Sequence, residues 1–420
     1  MEEKMKSKKN GYSRRDFVVK VIGGTAAAGI LGKTGLKLHS QEPKDDKAQK
    51  GVATAKPLLR TLGKTGIKIP VVSMGVMNAD NPALVKRSFE MGVRHFDTAW
   101  GYQKGRNEEM VGSVFKELNA REQVIIATKV PPAKPEIMDQ MGDKLVEEEF
   151  LARLEQSLAR LQTGFVDILY IHNISDPAVL KRPGLLAAID KAQKTKKARF
   201  VGFSTHRNMA DCINAAVPMG RFDVILTSIN RAMADDKALL EAMAAAAKAG
   251  IGLVAMKTQC KQAWAKESGA AGPEYHEGSV WHAALLKWAL RLDSVTTAIP
   301  GYTTFQQLET DWPVAFGLEY TPEEAKFLAD PNVQLALGHA CRQCGGCAGS
   351  CPQGVDVPAL VRAHMYAADY GNFLEMRRAL DEIPAGHGLL ACAGCGECTA
   401  ACVRGVQVAR RLGELKSIFA

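Results

Sequence analysis

Eight short apolar runs alternate with stretches of helical spacing, and this alternation restricts the chain to folds built on a parallel sheet. The runs lie near Val71 to Met74, Arg94 to Thr98, Val124 to Lys129, Val166 to His172, Phe200 to Ser204, Val224 to Ser228, Gly252 to Met256 and Val295 to Ile299. Helical segments such as Glu147 to Leu161 and Ala238 to Ala249 fall between them. Eight such units close into a (β/α)8 barrel, an α/β fold of roughly 250 residues in one domain. A doubly wound open sheet is the competing arrangement, but no Gly-x-Gly-x-x-Gly follows the first run. Before the first run, Leu59 to Pro70 reads as a small hairpin.

Three runs end on residues with chemistry, namely Asp97, Lys129 and His172, and Tyr102 lies five positions past Asp97. The C-terminal ends of barrel strands are where such folds build active sites. Reducing a carbonyl requires a proton donor beside its oxygen, and a free tyrosine, with a pKa of about 10, donates poorly at neutral pH. A neighbouring ammonium lowers that pKa. Lys129 is placed to supply the charge, Asp97 to hold the lysine, and His172 to orient the substrate oxygen.

From about Leu59 to Trp312 the chain resembles the aldo/keto reductase family, whose Asp, Tyr, Lys, His tetrad falls on Asp97, Tyr102, Lys129 and His172 in the expected order. The resemblance implies an oxidoreductase that interconverts a small-molecule carbonyl and an alcohol, with Tyr102 as general acid/base and the hairpin covering the barrel bottom. It also implies a nicotinamide nucleotide. Ser204 takes the family's carboxamide-contacting position, and Thr205 stands where an Asn usually follows. Leu226 aligns with the family's cofactor glutamine and Met256, beside Lys257, with its stacking aromatic. After the eighth run, where NADP-binding members carry Lys and Arg, this chain offers Gly301, Tyr302 and Gln307. NAD(P)(H) is therefore expected without a clear NADP preference.

The C-terminal region carries Cys341-x2-Cys344-x2-Cys347-x3-Cys351-Pro352 and then Cys392-x2-Cys395-x2-Cys398-x3-Cys402, which together hold eight of the ten cysteines. Zinc sites usually use two well-separated pairs, and disulfides need no duplicated spacing. The runs match bacterial two-cluster ferredoxins, in which the fourth cysteine of each run ligates the other cluster. Two 4Fe-4S clusters are the expectation, one on Cys341, Cys344, Cys347 and Cys402, the other on Cys392, Cys395, Cys398 and Cys351. Residues 356–390 are expected to form a helical insert that returns the chain to its partner run.

The net charge of +9 is concentrated in residues 1–56, which contribute +7, with Ser13-Arg14-Arg15-Asp16-Phe17 and then an apolar stretch from Val21 to Leu31. That leader resembles a twin-arginine export signal, and the apolar stretch is shorter than the ~20 residues a membrane span needs. No basic stretch with interleaved aromatics points to nucleic acid. The expected organisation is a twin-arginine signal and linker over 1–56, the barrel over 57–320 and a small α-helical ferredoxin-like domain over 321–420. Twin-arginine export carries folded, cofactor-loaded proteins, so leader and clusters agree on a periplasmic location or the outer face of the cytoplasmic membrane. The expected partners are the twin-arginine machinery and an electron-carrier protein that receives or supplies electrons through the clusters. Two alternatives stand: a cytoplasmic NAD(P)H-dependent carbonyl reductase with structural or sensory clusters, and a non-enzymatic electron-transfer protein on a degenerate barrel.

Overall fold

A computed structural model of the chain describes residues 56–133, 135–260, 280–395 and 397–419; the paired arginines of the leader lie outside them. Strands β1 (Leu59–Thr61) and β2 (Lys68–Pro70) form the expected antiparallel hairpin, with Leu59 opposite Pro70. Leu62, Ile67 and Ile69 are buried against Ile168, Tyr170, Val224 and Val254, which face the barrel interior, so the hairpin plugs one end of the barrel. The plug is tied to the wall by a hydrogen bond from Lys64 N to Gly250 O at 2.7 Å.

Eight parallel strands follow in sequence order: β3 (Met74–Gly75), β4 (His95–Asp97), β5 (Ile125–Val130), β6 (Val166–Ile171), β7 (Ala198–Thr205), β8 (Val224–Ser228), β9 (Gly252–Met256) and β10 (Thr297–Ala298). The first and last are shorter than the apolar runs suggest, because their mutual pairing is sparse. Closure comes from parallel bridges of Val72 with Ala298 and Gly75 with Gly301, supported by Ser73 N to Ala298 O at 2.8 Å and Gly75 N to Pro300 O at 2.9 Å. The helices bury one face each against this cylinder. Asp143–Arg160 buries Val146, Phe150, Leu154 and Leu158, four residues apart, and Lys237–Lys248 starts where the Asp236 carboxylate accepts from Leu239 N.

Beyond the barrel, Thr321 and Glu324 form a capping box that opens the helix Pro322–Ala329. This helix packs on the barrel helix Val280–Leu290, where Lys287 Nζ donates to Glu324 Oε2 at 2.8 Å. The cysteine-bearing region has a separate core of Val357, Leu360, Met365, Met376, Leu412 and Leu415, built from the helices Val357–His364, Phe373–Asp381 and Val408–Ser417. Its polar ties to the barrel all land on loops that follow strands. Asn372 donates to Asn78 at 2.6 Å, Arg362 to Asn173 at 3.1 Å, and Arg207 pairs with Asp356 at 3.1 Å, while Arg342 and Arg404 both reach Asp235. The cysteine-bearing region therefore sits over the C-terminal mouth of the barrel.

Close packing between β7 and β8 depends on Gly202, where an added Cβ would lie 1.9 Å from Val224 O. Gly202→Ala should destabilise the protein by about 3 kcal/mol, whereas Gly317→Ala, with no atom within 4 Å, should stay within about 0.5 kcal/mol in urea titration.

Candidate active site

Parallel pairing of β4 with β5 sets Asp97 opposite Ala127, so Lys129, two residues on and on the same face, rises beside the carboxylate. The Lys129 ammonium donates to Asp97 Oδ1, to Thr98 O at 2.6 Å and to Tyr102 Oη at 3.3 Å. All three of its donors are then in use. Because the Tyr102 oxygen accepts from Lys129, its own O–H is directed away from that ammonium. His172 follows β6, and its ring stands edge-on to that of Tyr102 with centroids 5.9 Å apart. The four residues expected from the sequence thus converge at the barrel mouth.

They line one cavity of about 200 Å³, together with Ser204, Leu226, Met256, Lys257, Gly301 and Gln307. Thr205 and Tyr302 are buried but are not among the residues that line it; Thr205 bonds to Arg207 O and Tyr302 packs in the main core. Three further walls come from the cysteine-bearing region, Tyr366, Tyr370 and Arg378. These, with His206, Gln259 and Asp311, are site residues that sequence reasoning missed. Nothing in the spacing of residues 356–390 marks them, since their role depends on how the second region docks.

Burial pushes the Asp97 carboxyl up and the Lys129 ammonium down, and each is opposed by the charge of the other. The expectation that Lys129 lowers the Tyr102 pKa is corrected here. Tyr102 is held well above its usual value, first by burial and then by the Asp97 and Glu375 carboxylates, and the cation opposing this is Arg378. The Lys129 charge is largely met by Asp97. His172 is held well below its usual value by burial and by Arg378, Lys129, Arg362 and Lys257, so its imidazole is neutral.

Cys341, Cys344, Cys347 and Cys402 line a second cavity, which also touches Arg207, Arg342, Arg362 and Arg404. Burial, then Cys341 and Cys402, push the Cys347 thiol up to about 12, as expected for thiols gathered in one place. Cys351 packs against the region's core, which contains the buried Cys392, while Cys395 and Cys398 are exposed, and no disulfide joins the described cysteines. Among the described residues no group of three or more His, Cys, Asp or Glu is close enough to hold a single metal ion. A four-iron cubane holds its thiolates farther apart than an ion does, and the donor set fits an iron–sulfur cluster. Gln343, between Cys341 and Cys344, connects the two cavities: with its amide oriented to satisfy both neighbours, the nitrogen donates to His206 O at 2.7 Å and the oxygen accepts from Lys257 Nζ at 3.3 Å.

The residues fit a phosphorylated dinucleotide poorly. The arm of the catalytic cavity formed by Gly301, Thr303 and Gln307 has no basic side chain among the described lining residues. Gln307 is engaged with Thr303 N at 2.7 Å, and the nearby Asp311 carboxyl, pushed up to about 7 by burial, bonds Gln259 at 2.7 and 2.8 Å. The cavity is also smaller than the ~300 to 1,000 Å³ of typical ligand pockets.

A barrel with Asp, Tyr, Lys and His at its mouth beside a cysteine-lined cavity brings together groups suited to proton transfer and groups suited to an iron–sulfur cluster. Residues 73–278 match the Aldo/keto reductase family and residues 340–407 match the 4Fe-4S dicluster domain, so the chain joins an aldo/keto reductase-type barrel to an iron–sulfur region. It is 30% identical over 212 residues to L-galactose dehydrogenase of Arabidopsis thaliana, covering 47% of this chain and 63% of that protein. It is 31% identical over 160 residues to L-glyceraldehyde 3-phosphate reductase of Escherichia coli, covering 35% and 45% respectively. The chain therefore spans about half of the length of these curated relatives. Among solved structures, the aldo-keto reductase AKR11C1 of Bacillus halodurans superposes with a TM-score of 0.51 at 19% identity, over 69% of this chain and 98% of that one, which supports the fold.

Two outcomes follow from the site. Cys402→Ala should remove the cluster that involves Cys341, Cys344 and Cys347, and Cys351→Ala the one that involves Cys392, as read by iron content and electron paramagnetic resonance. Equilibrium titration should find NADP(H) bound less than about 10-fold more tightly than NAD(H), because Gly301, Thr303 and Gln307 offer a 2′-phosphate no cation among the described residues. A 100-fold preference, or about 2.7 kcal/mol, would contradict this.

Proposed function

We propose that the protein interconverts a carbonyl and an alcohol at the Tyr102 site, exchanging electrons with an external carrier protein through two 4Fe-4S clusters. The observation that carries this reading is the docking of the iron–sulfur region on the barrel mouth, where Tyr366, Tyr370 and Arg378 form walls of the cavity that contains the tetrad. Reduction adds two electrons, given up by two equivalents of the reduced one-electron carrier, and two protons, one reaching the carbonyl carbon from water and one placed on the oxygen. The oxygen proton belongs to Tyr102, whose O–H is turned away from Lys129. In the oxidising direction the same tyrosine takes that proton back.

Cys341, Cys344, Cys347 and Cys402 would hold one cluster beside the catalytic cavity, and Cys392, Cys395, Cys398 and Cys351 the other, whose exposed Cys395 and Cys398 suit a surface meeting with the carrier. The bound clusters supply one-electron transfer. The Arg14-Arg15 leader supports export by the twin-arginine machinery, to the periplasm or the outer face of the cytoplasmic membrane. Among the described residues no helix is long and apolar enough to cross a membrane.

With aldehydes and ketones as substrates and reduced methyl viologen as electron donor, Tyr102→Phe should lower turnover by about 10²- to 10⁴-fold while the cluster spectrum is kept. Lys129→Met should act in the same direction. Wild-type turnover by Tyr102→Phe would remove the mechanism. Paired Arg14→Lys and Arg15→Lys substitution should move the protein from the periplasmic to the cytoplasmic fraction, and an unchanged distribution would refute export by this route.

A further inference from the structure

We infer that Arg378 is a positioning residue of the catalytic site, whose guanidinium fixes His172 as the tautomer with its proton on Nε2, so that the barrel's active site is completed by the iron–sulfur region. The inference rests on the proposal that a carbonyl oxygen is held between Tyr102 and His172.

Arg378 Nη1 lies 3.4 Å from His172 Nδ1. A guanidinium has five donors and no acceptor, so in this contact Nδ1 must accept and carries no proton. A neutral imidazole then has its one proton on Nε2, where it can donate to a substrate oxygen beside the Tyr102 hydroxyl. Neutrality itself is favoured by burial and by the surrounding cations Arg378, Lys129, Arg362 and Lys257.

The guanidinium is aimed by its neighbours. Its Nε and Nη2 bond the buried Glu375 Oε2 at 3.0 and 2.9 Å, and Glu382 Oε1 lies 3.7 Å from Nη1. The other Glu382 oxygen accepts from Asn173 at 2.6 Å and from Arg362 at 3.0 Å, and Asn173 is the residue directly after His172. A closed circuit therefore runs from Arg378 to His172, through Asn173 to Glu382 and back. The guanidinium lies close over the backbone next to Tyr102, with the Cβ position of Gly101 3.4 Å from Arg378 Cδ and Nη1. Three elements of the cavity wall meet at this one side chain.

The test uses the full-length, cluster-loaded protein labelled with ¹⁵N-histidine, in which two-bond ¹H–¹⁵N spectra distinguish the two neutral tautomers. Wild-type His172, assigned by its loss in His172→Gln, should show the Nε2–H pattern. Arg378→Met should convert it to a mixture or to Nδ1–H and lower kcat 10- to 100-fold with KM changed less than 3-fold, while the cluster absorbance is retained. Arg378→Lys, which keeps a cationic donor, should retain the Nε2–H pattern and so guards against a simple folding defect. An unchanged Nε2–H pattern or an unchanged kcat in Arg378→Met would overturn the inference. The tautomer is read in resting protein, so its outcome is separate from that of Tyr102→Phe, on which the carbonyl reading stands.

Discussion

The buried contact between Lys129 and Asp97 is the constraint around which the barrel mouth is arranged. Both side chains are almost wholly removed from solvent. Two charges taken out of water are costly unless paired, and removing one partner of such a pair typically costs about 3 to 5 kcal/mol. Lys129 uses its other two donors on Thr98 O and Tyr102 Oη, while Asp97 Oδ2 has no hydrogen-bond partner among the described residues. The contact with Tyr102 turns the tyrosine O–H away from the ammonium. A structural requirement of the ion pair therefore becomes the geometry of proton transfer.

The second constraint is that the mouth is not left open. Loops after β3, β6, β7 and β8 supply Asn78, Asn173, Arg207 and Asp235 to the iron–sulfur region. In return that region supplies Tyr366, Tyr370 and Arg378 to the cavity. Thiolate ligands bound to a cluster order the chain that carries them, so cluster assembly and completion of the cavity are physically linked. Arg362 stands at the junction, lining the cysteine cavity while bonding Asn173 and Glu382 behind His172.

Much of the barrel was legible because its signals are local. Asp97, Lys129 and His172 end apolar runs, and a side-chain period of two puts Lys129 on the same face as Ala127. The cysteine runs were legible because ligand spacing on a tight loop is a local property too. Arg378 was not legible: it lies in an ordinary amphipathic helix, 206 residues from His172, and only the docking of one region on the other brings them together. The direction of the Tyr102 pKa was missed for a related reason, because it depends on Glu375 and on burial under that helix, neither of which leaves a trace near residue 102. Boundaries shifted where pairing is sparse, at β3 and β10, since apolar content there outruns the few ladder bonds that close the barrel.

The central claim is that the barrel mouth and the iron–sulfur region are one catalytic unit. Amide hydrogen exchange on the full chain, before and after removal of iron by anaerobic chelation, addresses it without knowledge of the substrate. The account predicts that loss of iron raises exchange in residues 341–419 and also in residues 95–102 and 172–175, which carry Asp97, Tyr102 and His172 with their ties. Exchange that rises in residues 341–419 alone, with the barrel mouth unchanged, would contradict it.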